Sequence, residues 1–383
     1  MTKKPIEKVE KSILTEKKLL FHKDRIKEFK EGGATFPIAF DIDLTNLCNH
    51  RCPNCWGSND KTREDGGADC THQDFERLKK LIPEIKKLGA RSIIYSGGGE
   101  PTLYPHFAEI LRYTKEQGLD TAVVTNGSVF NEEIIEAMVD CCTWIRISLD
   151  ADGPEIYKIA HGMPSESFFT VVNNIKHLIG RKKSKQKEIT VSTCFLIGPK
   201  TWKGAYGAAK LSRELGVDYI RIRPYFQLPG NDKTKIEVDK TLKVLEKCKE
   251  LETENFKISY PTYRVMWMDD KKRIRQYKKC YLPHFLTYIA PDGNLYPCCA
   301  MKNDTSKSMG NIKDKLFNDV WYDENRKKIS DKINLGECPN PCNYENHIKF
   351  LWDLIESDKS VDDYCDEKGL KLPEQKGIHK NFL

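Results

Sequence analysis

The chain has 383 residues, enough for one barrel-sized core and a smaller appended domain, and none of its apolar runs approaches the roughly 20 residues that span a bilayer. Its 63 basic and 56 acidic residues leave a net charge of +7, spread over lysines interleaved with glutamates as on a solvated surface, so we expect neither a membrane nor a nucleic-acid partner. Fourteen cysteines without a signal peptide predict a reducing, cytoplasmic location, where clustered cysteines are more often metal ligands than disulfides.

The first predicted element is a helix over residues 11–31. Its apolar residues recur mostly at helical steps, and the pair Gly32-Gly33 ends the pattern. We expect this helix to cover one end of the domain that follows.

Short β-rich runs alternate with helical segments between residues 35 and 226. Such alternation predicts an α/β fold made of parallel βαβ units, and six units without a further repeat predict a partial (β/α)6 TIM-like barrel. The predicted strands are residues 38–44, 92–95, 121–125, 144–149, 189–197 and 219–223.

Several of these strands alternate between aliphatic and polar side chains, whereas parallel strands covered on both faces are usually aliphatic throughout. The polar faces carry Asp41 and Asp43 on the first strand, Trp144, Arg146, Ser148 and Asp150 on the fourth, and Tyr219, Arg221 and Arg223 on the sixth. If the aliphatic faces pack against outer helices, the polar faces line the lumen. We therefore expect a lumen that binds a charged, hydroxylated or amidic substrate, with Arg221 and Arg223 as catalytic-site candidates unless they only pair with carboxylates.

Three cysteines, Cys48, Cys52 and Cys55, follow the first predicted strand at the spacing C-x3-C-x2-C. Three thiolates so close together suit three irons of a [4Fe–4S] cube and leave the fourth iron open to a ligand that is not protein. A zinc knuckle is the alternative, but it needs a second ligand pair, and no C-x2-C or histidine pair follows within about fifty residues.

This cysteine motif resembles that of the radical S-adenosylmethionine (SAM) superfamily, and the segment SGGGEP at residues 96–101 matches the Gly-Gly-Glu segment of that family. The resemblance implies that SAM binds the open iron and is cleaved to a 5′-deoxyadenosyl radical. It also implies cofactor contacts from Gly98, Gly99, Glu100, Asn126, Ser148 and Asp150. One departure is Asn54, where the family commonly has an aromatic residue near the adenine; Trp56 is the expected substitute.

A second cysteine group follows a polar linker and a helix over residues 238–252. Pro291-Asp292-Gly293 predicts a hairpin turn between residues 286–289 and 294–296, which would return Cys298 towards Cys280. Cys338 and Cys342 follow a Gly-Asn-Ile turn and a helix, an order that resembles the Twitch/SPASM extension of radical SAM enzymes. These four thiolates would hold one auxiliary [4Fe–4S] cluster or a structural zinc ion, and Cys299 is expected to be a packing thiol.

The predicted domains follow from these patterns. They are an N-terminal helical extension (1–34), the radical SAM partial barrel (35–226), a linker and helix (227–278), a small α+β Twitch/SPASM-like domain (279–345) and a C-terminal helical tail (346–383).

The resemblance predicts a radical SAM oxidoreductase that abstracts hydrogen from a polar substrate, with oxidation through the auxiliary cluster and a flavodoxin or ferredoxin as reductant. The substrate is expected to be a small polyol or aminocyclitol, or alternatively a ribosomally made peptide. Epimerisation is a second possible outcome, for which Cys194 in the fifth predicted strand is the candidate hydrogen donor. A non-enzymatic iron–sulfur electron carrier is the remaining alternative, and it would need neither SGGGEP nor a barrel.

Overall fold

The computed structural model describes residues 15–55, 71–225, 236–266, 275–302, 304–339, 342–372 and 379–383. The predicted linker at residues 227–235 and Trp56 lie outside these ranges. The strands are β1 Ala39–Asp43, β2 Ser92–Ser96, β3 Asp120–Thr125, β4 Cys142–Ser148, β5 Thr190–Ile197, β6 Tyr219–Pro224, β7 Lys257–Ser259, β8 Leu286–Ile289, β9 Asn294–Tyr296 and β10 Gly310–Asn311.

These strands form one ten-stranded sheet in the order β10-β9-β8-β1-β2-β3-β4-β5-β6-β7. Strands β1 to β7 are parallel to their neighbours, and β8 pairs in parallel with β1. Strands β9 and β10 complete the order as antiparallel partners. The six predicted barrel strands are confirmed, whereas β7 was not predicted because three residues are too few to display an alternation.

The α-helices lie mostly between consecutive strands. They are α1 Lys23–Gly32, α2 Phe75–Lys87, α3 Phe107–Glu116, α4 Glu132–Cys141, α5 Pro154–His161, α6 Ser167–Ser184, α7 Ala205–Leu215, α8 Val238–Cys248, α9 Thr262–Met266, α10 Phe317–Trp321, α11 Glu324–Asp331, α12 Glu345–Ile355 and α13 Val361–Glu367. In the described ranges, no helix has both the length and the apolar character that a membrane span requires.

The aliphatic faces of the strands pack outwards against the helices. Ile145, Ile147, Ile220 and Ile222 are buried in the main apolar cluster with the helices. On β5, Thr193 faces the same way, because its hydroxyl contacts that of Ser212 on α7 at 2.7 Å. The alternation therefore predicted correctly which strand faces turn away from the lumen.

The N-terminal segment is not the single helix that its periodicity predicts. In the described part it forms a 3₁₀ turn at Glu16–His22 and then α1, with a break at His22, where φ is −126° and ψ is 36°. A distant segment explains the break: His22 Nε2 lies 3.0 Å from the Lys380 carbonyl, and Lys18 Nζ donates to the Phe382 carbonyl at 3.2 Å. Tertiary contacts here override the helical period.

Residues 379–383, which we call the lumen plug, occupy the barrel end at which the strands begin. Ser92 Oγ, at the start of β2, donates to the Asn381 carbonyl at 2.5 Å. Asn381 Nδ2 donates to Asp120, at the start of β3, at 2.7 Å. The Phe382 ring meets Trp144 edge-on at 5.6 Å inside the lumen. The plug therefore covers the end of the barrel opposite the cysteine loop.

Candidate active site

The cysteine loop follows β1 and presents three partly exposed thiols, none of them in a disulfide, at Cys48, Cys52 and Cys55. The Cys55 amide donates to the Cys52 carbonyl at 3.1 Å, which folds the second half of the motif into a turn. The loop packs on Gly162, which has φ +63°, and a Cβ there would lie 2.4 Å from the Arg51 carbonyl oxygen. Three soft thiol donors on a loop so supported fit a three-cysteine iron–sulfur cluster.

Two histidines lie beside the middle cysteine. His161 Nδ1 is 3.3 Å from Cys52 Sγ, and His161 Nε2 is 3.1 Å from the Leu149 carbonyl. Among the described residues, His50, Cys52 and His161 form the one set of three ligand atoms that all lie within 4.8 Å of one another. Burial lowers the pKa of His161 to about 4 and that of His50 to about 3, so both rings are neutral at pH 7.

The SGGGEP loop is fastened to the backbone that leads into the cysteine loop. The Gly99 amide donates to the Thr45 carbonyl at 3.0 Å, and the Glu100 amide donates to the Leu47 carbonyl at 2.8 Å. A Cβ on Gly99 would lie 2.1 Å from the Leu47 oxygen, so only glycine permits this approach. The two motifs that the sequence analysis assigned to SAM binding are thus one structural unit.

The Glu100 carboxylate is buried and accepts hydrogen bonds from donors within the protein. It accepts from Thr125 Oγ1 at 2.5 Å, from the Asn126 amide at 2.6 Å and from Thr102 Oγ1 at 2.7 Å. Burial raises its pKa, and these donors oppose that shift. The contact between Glu100 and SAM stays a prediction. In the structure, Glu100 joins the SGGGEP loop to the end of β3 through Thr125 and Asn126.

The remaining predicted SAM contacts lie at the strand ends around the cysteine loop. Asn126 Nδ2 donates to Asn49 Oδ1, within the cysteine motif, at 2.9 Å. Asp150 adopts φ +49° and accepts from the Leu196 amide at 2.7 Å, and Ser148 ends β4. Burial raises the pKa of Asp150 to about 7, although the Arg223 guanidinium opposes the shift.

An aromatic ring lies beside Asn54 although the cysteine motif itself carries none there. Burial raises the pKa of Tyr225, just beyond β6, and interactions of its hydroxyl with the side chains of Thr201 and Asn54 oppose the rise; the ring is buried. Tyr225 was not predicted as a site residue, because it is distant in sequence and only the barrel brings β6 next to the cysteine loop.

The second cysteine group comes together around the β8–β9 hairpin, which the sequence predicted correctly. Cys280 precedes β8, Cys298 follows β9, and Cys338 and Cys342 lie before α12. Burial raises the pKa of Cys298 and of Cys342, the latter to about 11; nearby Cys342 and Cys280 add to the rise at Cys298, and Cys338 to that at Cys342. Four protonated thiols that influence one another's pKa fit a cluster or metal that binds thiolates.

The spacing of these four thiols bears on the zinc alternative. Tetrahedral zinc with Zn–S bonds of about 2.3 Å brings its sulfurs to within about 4 Å of one another. In the described residues the four thiols are not all within 4.8 Å of one another. The arrangement is wider than a single-ion site.

A central cavity of about 680 Å³ lies between the SGGGEP loop and the second cysteine group. Asp41, Ser96, Arg146 and Arg221 line it from the strands, and Cys299 and Lys302 line it from the second cysteine group. The prediction of a polar lumen is confirmed. Cys299, expected to be a packing thiol, packs against the cluster of Tyr288, Ala290 and Tyr296 and also lines this lumen.

Asp43 joins three parts of the site. Its Oδ2 accepts hydrogen bonds from the Tyr288 hydroxyl on β8 and from the Gly98 amide. The same oxygen forms an ion pair with Lys302 Nζ at 3.2 Å, with both side chains buried. Burial raises the pKa of Asp41, two residues earlier, to about 7, and repulsion from Asp43 adds to the rise.

The three predicted catalytic candidates have different surroundings. Arg223 Nη1 donates to Asn343 Oδ1 at 3.1 Å, whereas Arg221 faces the cavity. Cys194 pairs with Arg221 across β5 and β6 but is buried and absent from the cavity lining.

Several cavity residues escaped sequence reasoning. They are Lys18, Arg264, Lys302 and His347, which come from segments outside the six predicted strands. No local pattern marks them, since the tertiary fold alone brings them to the lumen.

Comparison with known proteins places these features in two families. Residues 42–211 match the family model described as the radical SAM superfamily. Residues 280–343 match the model named SPASM, described as an iron–sulfur cluster-binding domain.

Two curated relatives cover most of the chain at low identity. The tungsten-containing aldehyde ferredoxin oxidoreductase cofactor-modifying protein of Pyrococcus furiosus is 22% identical over 74% of this chain and 80% of its own length. The AdoMet-dependent heme synthase of Methanosarcina barkeri is 24% identical over 79% of this chain and 87% of its own.

Among solved structures, Streptococcus suis SuiB bound to S-adenosylmethionine has a similar fold. Its TM-score is 0.62 at 18% identity, and the match covers 86% of this chain and 79% of that one. SuiB has also been solved bound to its precursor peptide SuiA.

Proposed function

This chain belongs to the radical SAM superfamily and carries a SPASM domain, and from that premise we propose that it abstracts hydrogen from a polar substrate held in the central cavity. When bound, SAM and the cluster at Cys48, Cys52 and Cys55 supply the 5′-deoxyadenosyl radical. The position of the cavity supports the proposal most directly, because Gly97 lines one side and Cys299 the other. A substrate there lies between the two cysteine groups.

The protein's own residues orient the substrate and exclude water. Asp41 and Arg221 offer charged contacts at the cavity wall. The Asp43–Lys302 ion pair and the lumen plug occupy space through which water would otherwise enter. Keeping water away from a reactive intermediate is the protein's usual contribution when a cofactor does the chemistry.

We propose two-electron oxidation as the outcome. Cys280, Cys298, Cys338 and Cys342 would hold the auxiliary [4Fe–4S] cluster, which when bound would supply an electron acceptor. Cys299 connects the proposed cluster site to the cavity, because it follows the proposed ligand Cys298 in the chain and its side chain lines the cavity. The proposed reductant is a flavodoxin or ferredoxin, and the proposed location is the cytoplasm.

A small polyol or aminocyclitol is the proposed substrate class, because the plugged lumen suits a compact molecule. A ribosomally made peptide is the second candidate, and it is favoured by one observation: SuiB, with a similar fold, binds a precursor peptide. Epimerisation would need a hydrogen donor beside the substrate, and Cys194 remains the candidate: it pairs with the cavity-facing Arg221 across β5 and β6, although it is buried and does not line the cavity. A pure electron carrier is disfavoured, since it needs no cavity.

The deciding experiment is anaerobic reconstitution with iron and sulfide, followed by iron counting and incubation of the reduced protein with SAM. We expect about eight irons per chain in the parent and about four in a C48A/C52A/C55A variant. Only the parent should form 5′-deoxyadenosine. A C141A/C248A variant is the control, because both thiols are buried in the main apolar cluster, which contains neither cysteine group, and their loss should leave the iron count unchanged.

The possible outcomes separate the parts of the proposal. Absence of 5′-deoxyadenosine from a fully loaded and reduced parent would contradict the radical chemistry. About four irons with zinc recovered from the remainder would retain that chemistry and remove the auxiliary electron acceptor.

A further inference from the structure

Positive charge is concentrated on one side of the central cavity. Arg146 and Arg221 face it from β4 and β6, Arg264 reaches it from α9, and Lys18 reaches it from the N-terminal 3₁₀ turn. Of the carboxylates that line the cavity, Asp41 and Asp43 belong to β1, across the lumen, and Glu16 belongs to the same N-terminal turn as Lys18. The cavity is therefore basic on one wall and acidic on the other.

Arg221 has no internal acceptor in the part of the chain that the structure describes. None of its nitrogens makes a hydrogen bond or an ion pair there, and its Nε is buried and unsatisfied. Arg223, on the same face two residues later, differs because Asn343 Oδ1 accepts from it at 3.1 Å. Burial lowers the pKa of Arg221 to about 9, and repulsion from nearby arginines adds to this effect.

Arg146 is similarly uncommitted. Its guanidinium lies 5.5 Å from the centre of the Trp144 ring, and no hydrogen bond or ion pair to it occurs in the described ranges. Asp41 and Asp150 interact with Arg146 only through longer-range charge effects, beyond ion-pair distance. Arg146 and Arg221 are close enough to repel each other.

Arg146 and Arg221 lie on β4 and β6, on either side of β5, and both face the same cavity. Two such guanidinium groups without acceptors in a partly closed cavity destabilise the ligand-free protein. We propose that the substrate carries a carboxylate that binds between Arg146 and Arg221. This inference rests on the proposed function and narrows its substrate class: the compact hydroxylated substrate, or alternatively the peptide, carries a carboxylate.

The number of cationic groups without a partner favours a carboxylate over a larger anion. Two guanidinium forks match the two oxygens of one carboxylate, each fork donating to one oxygen. Arg223 and Arg264 are already held by Asn343, and the buried amine of Lys18 donates to the Phe382 carbonyl. The remainder of the substrate would then extend towards Asp41, Ser96 and Cys299 on the opposite wall.

The test compares thermal unfolding of the anaerobically reconstituted protein and three variants, with glutarate as the carboxylate probe and glutaramide as its neutral control at matched ionic strength. Without any probe, R221Q should raise the unfolding midpoint by about 2 °C because it removes an uncompensated charge. R223Q should lower the midpoint, since it breaks the hydrogen bond to Asn343. R213Q, on the outer helix α7, should change it little.

Saturating glutarate should raise the midpoint of the parent and of R213Q by about 2 °C or more, and glutaramide should not. The glutarate effect should disappear in R221Q. A lower midpoint in R221Q without probe, or no response of the parent to glutarate, would overturn the inference. A response to inorganic phosphate alone would replace the carboxylate by a phosphate-bearing substrate. Formation of 5′-deoxyadenosine by the parent, measured in the same preparation, tests the proposed function separately.

Discussion

At the scale of single residues, one carboxylate connects the cofactor loop, the barrel and the second cysteine group. Asp43 Oδ2 takes donors from Gly98, Tyr288 and Lys302, which lie far apart in sequence. Charge-assisted hydrogen bonds from several donors stabilise a buried carboxylate that would otherwise be costly to ionise. Because Gly98, Tyr288 and Lys302 share this one acceptor, a displacement of any of their three segments would alter the contacts of the other two.

Asp41 lacks such a set of donors, and its pKa near 7 has a consequence for stability. The unfolded chain releases this proton near pH 3.9, so between pH 4 and 7 the folded state holds a proton that the unfolded state has lost. Stability from this group therefore falls as pH rises through that window. We expect D41N to gain about 2 °C in unfolding midpoint over the parent between pH 5 and 7.5, as measured by thermal melts.

Asp140 provides the control for this prediction. Hydrogen bonds from Lys185 and Lys187 lower its pKa, so its contribution is already complete at pH 5. D140N should therefore lose a small, constant amount of stability at both pH values. A D41N advantage that does not change with pH would contradict the raised pKa of Asp41.

Sequence reasoning reached some site residues and not others for a physical reason. Cys48, Cys52 and Cys55 belong to a short sequence motif, and Arg221 belongs to a strand in which polar and apolar residues alternate. Both patterns can be recognised within a few consecutive residues. Lys18 and Asn343 belong to segments whose patterns suggest only a surface helix and a cysteine spacer. Their positions in the cavity depend on how distant segments pack, which no local pattern encodes.

At the scale of secondary-structure elements, Asn343 joins β6 and α9 to the second cysteine group. Its Oδ1 accepts from Arg223 at 3.1 Å and from Arg264 at 2.8 Å, directly after Cys342 in the chain. Hydrogen bonds to charged groups contribute about 1.5–3 kcal/mol each, and losing a buried acceptor costs at least as much. This contact fixes where the arginines stand relative to the cavity.

We expect N343A to lower the thermal unfolding midpoint by about 2 °C or more, because two guanidinium groups lose a shared acceptor. N346A is the matched control: Asn346 lines the same cavity, and the described residues supply no hydrogen bond to its side chain. Iron content should be equal in both variants, since every cysteine is retained. Equal midpoints for N343A and N346A would contradict the bridging role.

Elements also differ in how far their sequences predicted them. β4 and β6 are long enough to show alternation, and the β8–β9 hairpin has a turn signal, so all three were predicted. The short strand β7 pairs with β6 through only three residues, and the N-terminal helix breaks at His22 because of contacts with the lumen plug. Sequence patterns do not predict very short elements, or breaks that are caused by contacts between distant segments.

At the scale of the whole molecule, the lumen plug converts an open barrel end into a covered one. Phe382 packs with Ile94, Ala122 and Trp144 in a small apolar cluster of its own. The cluster lies beneath the charged cavity and separates it from solvent at that end. The last described residues therefore contribute to the site although they lie far from both cysteine groups in sequence.

Replacing Phe382 by alanine should leave a void in this cluster. Phenylalanine-to-alanine changes in buried clusters cost about 3–5 kcal/mol, which corresponds to a fall of several degrees in the unfolding midpoint. F169A is the control, because that ring is 56% exposed on α6 and its loss should change the midpoint little. Equal thermal melts for the two variants would show that the plug does not stabilise the barrel.

The continuity of the sheet has a further consequence for how such a protein can be rearranged. Ala39, Phe40, Asp41 and Ile42 of β1 pair with β8, so the strand that leads to one cysteine group is laced by backbone hydrogen bonds to the hairpin of the other. The SPASM family match begins at residue 280, but the pairing of β8 with β1 makes this boundary part of one continuous sheet rather than a hinge between two domains. A chimera that took its C-terminal region from a relative would need a strand that pairs with β1 in the same register as β8. Without such a strand, β1 would lose its backbone partner on that side.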